Sequence, residues 1–460
     1  MERRRRWTHV MAWTPVVLVV LGTIARSGKS LGQESGLTLH DATRTALAHN
    51  RVLSATRQQG VAAQAGLTQA RAGLLPRLDA DETFTETNNP TLVFSNLLNQ
   101  QRFTQEDFAV DSLNHPSSLS NFGTRIRVEQ PLFTGGKLLA GLDAAQESVA
   151  AAAGQQTRAE EETIFQTRRA YYGVLLADGN LTTVDRALAA ARGHMDTAHA
   201  LFDRGVVVRS DLLRAEVLVG SLERQRIDAD NATRTARSQL NYTMGTDGEI
   251  RLQETDAWPV LNAPPSLQQS IDIALHQRPD LQAMQHAWQR DEAALRQARA
   301  DYLPSLGVIG QYDLNSENLS QAGDSYAVFV GARWNVFNGL ATTGKMREAA
   351  AQAARSRLLR DDLAARIRVE VEQAWRGLTG ATRQVEVAER NQEQAQENLS
   401  IVRDRYAGGL VRSLDVLDAV ATAEQADVEL LQARVSRQVR HAELDLATGQ
   451  PLPPSESETR

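Results

Sequence analysis

Two stretches of this chain are one turn written twice. Phe202–Leu213 (FDRGVVVRSDLL) and Tyr406–Leu417 (YAGGLVRSLDVL) each run from an aromatic through a glycine and a short Val/Leu/Ser-rich segment to an Asp followed by two apolar residues. The spacing is constant: Phe202 and Tyr406, Gly205 and Gly409, Asp211 and Asp415 all stand 204 residues apart (406 − 202). Glycine reaches the left-handed conformation that ends a helix, and an Asp or Ser just beyond it caps the next one. Each stretch is therefore expected to be the tip of a helical hairpin, and the chain to be internally duplicated.

The flanking segments support long helices. Lys137–Phe202 and Ala341–Tyr406 each run about 66 residues, or ~100 Å at 1.5 Å per residue. They are rich in Ala, Gln, Arg, Glu and Leu, in a chain with only 5% aromatics. That is the makeup of long helices rather than of ordinary globular cores. The first contains one breaker, Asp178–Asn180 (DGN), where a bend is expected. Beyond the tips, helices at 211–244 and 415–448 close with ARSQLNYTMG and RHAELDLATG, again 204 apart.

Upstream of each long helix the pattern changes to strands. ARAGLLPRL (Ala70–Leu78) is echoed by ARADYLPSL (Ala298–Leu306) at an offset of 228 (304 − 76). Phe122, Thr124, Ile126 and Val128 alternate with Gly123, Arg125, Arg127 and Glu129, the period of a half-buried strand. Leu306, Val308, Tyr312 and Leu314 mark another, and Tyr326, Val328, Val330, Trp334 and Val336 a further one. Arg77–Thr87 alternates poorly, because Glu82 and Glu86 share a side with Phe84. The connection Asn88–Leu119 is long and polar, Asn315–Ser325 is short, and the first absorbs the difference between the two offsets. Strands give way to helix at PLFTGG (Pro131, Gly135, Gly136) and NVFNG (Asn338, Gly339). TGGK at Thr134–Lys137 lacks the spacing of a phosphate loop.

The expected layout is an export signal at 1–32, a first repeat at 37–245, a linker at 246–266, a second repeat at 267–449 and a tail at 450–460. The first repeat holds a helix from Leu37 to Leu75, a β-hairpin at 77–133 and helices at 137–202 and 211–244. The second holds a helix at 267–300, a β-hairpin at 304–337 and helices at 341–406 and 415–448. A strand-side helix stacked end to end on a tip-side helix matches one long helix in length, so both chain ends fall at mid-height.

Arg3–Arg6 followed by the short apolar core Val16–Leu21 reads as an export signal, with cleavage after Ala25 or near Gly32. No other apolar run approaches the ~20 residues of a membrane helix. If the chain enters a membrane, it does so as strands. There is no cysteine, which removes disulfides, thiol catalysis and a lipidated N-terminal Cys. Charges of both signs interleave along the helices to a net −6, without a basic stripe for nucleic acid. His194 and His199 are five apart and do not share a helix face, so no metal is expected there. No catalytic arrangement stands out, so neither enzyme activity nor a cofactor is expected.

Four strands cannot close a barrel, and open edges are not tolerated in a bilayer. Three chains would supply twelve strands, above a hollow helical cylinder.

The doubled halves, the LLP and YLP strand starts, PLFTGG and NVFNG, and the paired SDLL and SLDVLDA tips resemble the TolC-type outer-membrane efflux proteins. The resemblance covers about residues 37–449. It implies a mainly α chain with a membrane β-barrel: a homotrimer whose four strands per chain form a 12-stranded barrel in the lipid of a Gram-negative outer membrane, above a periplasmic tunnel of antiparallel helical hairpins. It implies docking to a periplasmic adaptor and an inner-membrane pump of the resistance-nodulation-division or ABC type. A periplasmic gate would involve Asp415, Asp418, Asp211 and Tyr406, and adaptor-docking tips Arg204, Gly205, Val207, Ser210, Gly408, Gly409 and Ser413. Asp211 and Asp415 also fit as helix N-caps, and the two roles can coexist. One departure concerns the gate: the family often carries a basic residue two positions after the turn glycine, where this chain has Val411, with Arg412 one later. The competing expectation is a periplasmic coiled-coil scaffold held by a retained N-terminal segment.

Overall fold

The computed structural model describes residues 36–205, 208–253, 258–259, 261, 263–318, 322–407 and 410–450. The export signal expected at 1–32, parts of the linker and residues 451–460 of the tail lie outside the described residues.

The strand-side helix expected at Leu37–Leu75 is two helices, α1 (Leu39–His49) and α2 (Arg51–Ala72). Asn50 separates them with extended backbone while serving both: its N–H donates to the Ala46 carbonyl, and its side chain accepts from Leu53 N at 2.9 Å. A matching break falls inside the helix expected at 267–300, between α7 (Leu267–Gln277) and α8 (Pro279–Ala300). Pro279 has no N–H to continue α7, and it holds Arg278 extended at φ −60°, ψ 121°.

The long strand connection holds α3 (Pro90–Asn99) and α4 (Val110–Asn114). Two helices carry the length, α5 (Lys137–Asp203) and α9 (Ala341–Ala407), 67 residues each. Past the tips run α6 (Arg209–Met244) and α10 (Ser413–Thr448), 36 residues each. The DGN segment does not break α5. A Cβ on Gly179 would lie 2.4 Å from Leu431 Cδ2 of α10, so this glycine answers to close helix packing rather than to a bend. Asp178 pairs with Arg237 of α6 at 3.1 Å.

Packing is concentrated at mid-height, where helix ends converge. Ala42 and Ala46 of α1, Tyr171, Tyr172 and Val174 of α5, and Leu240 and Met244 of α6 form one core. Ala274 of α7, Ile367, Val371 and Leu378 of α9, and Leu444 of α10 form another. Toward the tips the seams narrow to small clusters such as Ala187, Ala191 and Val219, or Ala419, Ala423 and Leu399. Small residues let two helices approach closely but bury little apolar area, so the tips are the thinner part of the structure.

The strands β1 (Arg77–Thr87), β2 (Leu119–Phe133), β3 (Ser305–Ser316) and β4 (Ala322–Arg333) form one antiparallel sheet in the order β1-β2-β3-β4. Their register sets two faces across all four strands, one mainly apolar and one mainly polar, although Glu82 and Asp324 fall on the first and Ile309 and Phe329 on the second. On one stand Leu78, Ala80 and Phe84, then Phe122, Ile126 and Val128, then Val308, Tyr312 and Leu314, then Tyr326, Val328 and Val330. On the other stand Asp79, Asp81, Asn121, Arg125, Arg127, Gln311, Asp313 and Ser325, with Arg125 paired to Asp313 at 2.7 Å. The apolar face is open: Leu78 is 68% exposed, Tyr326 82% and Val330 76%. The β1–β2 connection, expected as a polar loop, carries a 3-10 turn at Gln105–Phe108 between α3 and α4. Among the described residues no helix is long and apolar enough to cross a membrane. The accessible surface, 30907 Å², far exceeds the ~17,000 Å² of a compact monomer of this mass.

Candidate functional site

At the first tip α5 ends with Arg204 as C-cap, and Gly205 turns the chain at φ +73° while its N–H bonds the Phe202 carbonyl at 2.8 Å. That left-handed conformation is open to glycine without steric cost. Val207 lies outside the described residues. Val208, extended at ψ 155°, is the N-cap of α6, and Ser210 stands exposed in its first turn. Asp211 occupies the third helical position, 3.9 Å from Arg214.

The second tip is built alike. Tyr406 lies in the last turn of α9 and Ser413 opens α10, while Gly408 and Gly409 lie outside the described residues. The N-cap is Arg412, extended at ψ 156°. Asp415, again at the third position, accepts from the Arg412 backbone N–H at 2.9 Å and from the guanidinium at 3.2 Å. The expectation that Asp211 and Asp415 are N-caps is corrected: the caps are Val208 and Arg412, neither of which offers a side-chain acceptor. The carboxylate three residues on reaches back to the cap, a position that also favours negative charge near the helix N-terminus. The Arg412 guanidinium, aided by the backbone N–H, holds the Asp415 carboxyl below the usual aspartate range.

Asp418 is exposed, one turn after Asp415, while Val416 and Ala419 between and beside them turn inward. The second tip therefore presents two carboxylates on one outer face, one paired with Arg412 at the N-cap of its own helix and one exposed. Arginine at this spacing is visible in the sequence; that it clamps Asp415 rather than reaching the neighbouring hairpin follows from the i, i+3 geometry. At the first tip a shallow groove of about 330 Å³ lies between α5 and α6, lined by Met195, Asp196, His199, Asp203, Leu212 and Glu216. The His199 ring sits 3.1 Å from Asp203.

The strand–helix junctions stand at the opposite end of the long helices. Pro131 opens an irregularity in the β2–β3 pairing that runs to Phe133. Gly135 and Gly136 follow at φ +62° and +83°, and a Cβ on Gly135 would collide with Leu303 Cβ at 2.7 Å. In the second half Asn338 Oδ1 accepts from Thr342 N at 3.3 Å, and Gly339 turns at φ +66°.

This arrangement, helical tips joined by ~100 Å of helix to a two-faced sheet, is that of a known family. The profile of the family described as outer membrane efflux protein matches residues 42–246 and 270–450. The chain belongs to that family. Like its members, this outer membrane efflux protein resides in the outer membrane of a Gram-negative cell, with a large periplasmic part. It is similar to the alkaline protease secretion protein AprF of Pseudomonas aeruginosa, 24% identical over 412 residues covering 86% of this chain and 81% of AprF. It is similar also to the outer membrane efflux protein BepC of Brucella suis, 24% identical over 331 residues covering 70% and 71%. Among solved structures, the Campylobacter jejuni CmeC outer membrane channel superposes with a TM-score of 0.78 at 16% identity, over 94% of this chain and 92% of CmeC. At that identity the likeness speaks for the fold.

Proposed function

We propose that three copies of this efflux protein form a passive exit duct. Twelve strands would close a barrel in the outer membrane, and the helices would continue it as a tunnel through the periplasm. The observation that carries the reading is the sheet: one face is mainly apolar and exposed on all four strands, the other mainly charged and polar. A bilayer-embedded barrel needs that separation, and a periplasmic scaffold does not. The edges of β1 and β4 would be satisfied by the neighbouring copies. Equal lengths support an internal duplication: α1 and α7 have 11 residues, α2 and α8 have 22, α5 and α9 have 67, and α6 and α10 have 36.

In this reading Asp211, Tyr406, Asp415 and Asp418 form the periplasmic gate. The tips around Arg204, Gly205, Val207, Ser210, Gly408, Gly409 and Ser413 dock a periplasmic adaptor, which couples the duct to an inner-membrane pump. The duct itself uses no cofactor and does no chemistry. AprF is named for protease secretion and BepC for efflux, so a polypeptide and a small molecule are both compatible cargoes.

Three copies of Asp415 and Asp418 would place six carboxylates around the closed mouth, favouring cations. The test is block of single-channel conductance by polyvalent cations added on the periplasmic side. The double variant Asp415→Ala, Asp418→Ala is expected to need roughly tenfold more cation for half block, with trimers intact. Asp418→Ala alone should account for most of the loss, because Asp415 already carries Arg412. Unchanged block in the double variant would remove these residues from the gate.

A further inference from the structure

The long β1–β2 connection does not stand away from the sheet; its middle is seated on the polar face. Gln100 is 4% exposed and donates to the Ser120 carbonyl and to Asn121 Oδ1, each at 2.9 Å. Asn121 in turn donates to Asn315 Oδ1 at 3.0 Å. Gln101, at φ +56°, reaches the Asp324 carbonyl at 3.1 Å, and Arg102 pairs with Glu317 beyond the end of β3. Gly323 leaves the room for this: a Cβ there would lie 2.3 Å from the Asn99 carbonyl oxygen and 2.7 Å from the Gln100 carbonyl carbon.

The side chains that receive the segment share a side. Asn121, Asn315 and Gly323 all belong to the face that carries Arg125 and Asp313, opposite the row of Phe122, Tyr312 and Val328. An insertion that merely decorated the surface would have no reason to fold onto this face. The buried Gln100 amide has both its donor and acceptor sides engaged, since Arg102 donates to Gln100 Oε1 at 3.4 Å. Satisfied buried amides fix one geometry rather than many. The segment sits at the end of the strands away from the helices, where Thr87 faces Leu119.

We propose that residues 90–114, seated through Asn99–Arg102, form a lid that folds inward over the outer mouth of the duct. The proposal rests on the barrel reading, in which the polar face lines the channel; three copies would then narrow the exit at the end opposite the helical tips.

The chain has no cysteine, so a single introduced thiol is a unique label. Ala327 lies on the polar face opposite Gln311, deeper than the lid, and Val328 beside it points to the apolar face. Intact cells carrying Ala327→Cys are treated from outside with a bulky polyethylene-glycol maleimide, in three backgrounds. One keeps the native lid, one adds Gly323→Val to unseat it, and one replaces residues 91–117 by a short Gly-Ser turn. Valine suits a strand, and the atoms its Cβ would meet first, on Asn99, Gln100 and Gln101, all belong to the lid; the replacement covers the case in which it fails to assemble.

The expected result is labelling roughly tenfold slower with the native lid than in the two altered backgrounds, with Val328→Cys unlabelled in all three. Equally fast labelling in all three would overturn the lid and leave the channel standing. Absence of labelling at Ala327→Cys in every background would mean that the polar face does not open outward, and the barrel reading would fall together with the lid.

Discussion

Replacing Gly245 by valine is expected to abolish assembled protein. Gly245 ends α6 at φ +71°, and a Cβ there would stand 2.3 Å from the His49 carbonyl oxygen and 2.8 Å from its carbon. The obstacle is backbone, held by the α1–α2 break, where Asn50 Nδ2 donates to the Thr243 carbonyl at 2.8 Å. Nothing flexible can yield. A branched side chain forced into the left-handed region and into that contact costs about 4 kcal/mol or more, a large share of the stability of a domain. The control is Gly66→Ala inside α2, where a Cβ meets nothing within 4 Å. It should be neutral or stabilising by up to about 1 kcal/mol. Immunoblots of membrane fractions, with and without heating, read both variants. Normal levels of trimer from Gly245→Val would show that the mid-height junction does not hold the α6 end as described.

Arg278→Ala should be the next most damaging change. The guanidinium is 3% exposed and pairs with Asp280 at 2.7 Å and Glu370 at 2.6 Å. It also reaches the Ala447 carbonyl at 3.4 Å, near the end of α10. Burial alone would raise the Asp280 pKa, but the hydrogen bond from Arg278 holds it below the ordinary value. Removing the cation leaves a half-buried carboxylate without its partner and opens a hole where α7, α8, α9 and α10 meet. Breaking a buried pair from one side costs about 3–5 kcal/mol. The lower end applies here, because Glu370 remains 40% exposed. Arg278→Lys keeps a charge but not the fork, and should fall between wild type and alanine. Denaturant midpoints of the detergent-solubilised protein give the order. A midpoint for Arg278→Ala within error of wild type would make the cluster ornamental.

Much of this arrangement is legible in the order of residues alone. The alternation of Phe122, Ile126 and Val128 against Arg125 and Arg127 gives the two faces of β2, because strand side chains repeat every two residues. β1 reads poorly because Glu82 interrupts its apolar side; the Thr124 hydroxyl donates to that carboxylate across the pair, so the interruption is satisfied locally. The break at Asn50 leaves little trace in the sequence. One extended residue shared as C-cap and N-cap barely disturbs the helical period on either side. The break at Arg278 does leave a signal, Pro279, which the apolar periodicity on both sides outweighs.

The tips show the same division. Turn glycine and first-turn aspartate are readable at Gly205 and Asp211, but the cap falls one turn earlier than expected, on Val208 and Arg412. Backbone conformation selects those residues, whose side chains offer no acceptor. The lid is the least legible part. Asn89-Pro90 is a helix-start signal, with Asn89 Oδ1 accepting from Thr91 N at 3.1 Å. Its seat depends instead on Asn121, Asn315 and Gly323, which only the sheet register brings together.

The most direct test of the duct is electron microscopy of the full-length protein purified in detergent. Helices of 67 residues give ~100 Å of tunnel, and a barrel adds ~30 Å. Class averages should show a threefold tube of roughly 130 Å with a detergent belt at one end. Monomeric rods or twofold particles would contradict the account, because the apolar face of the sheet would then have no closed barrel to belong to.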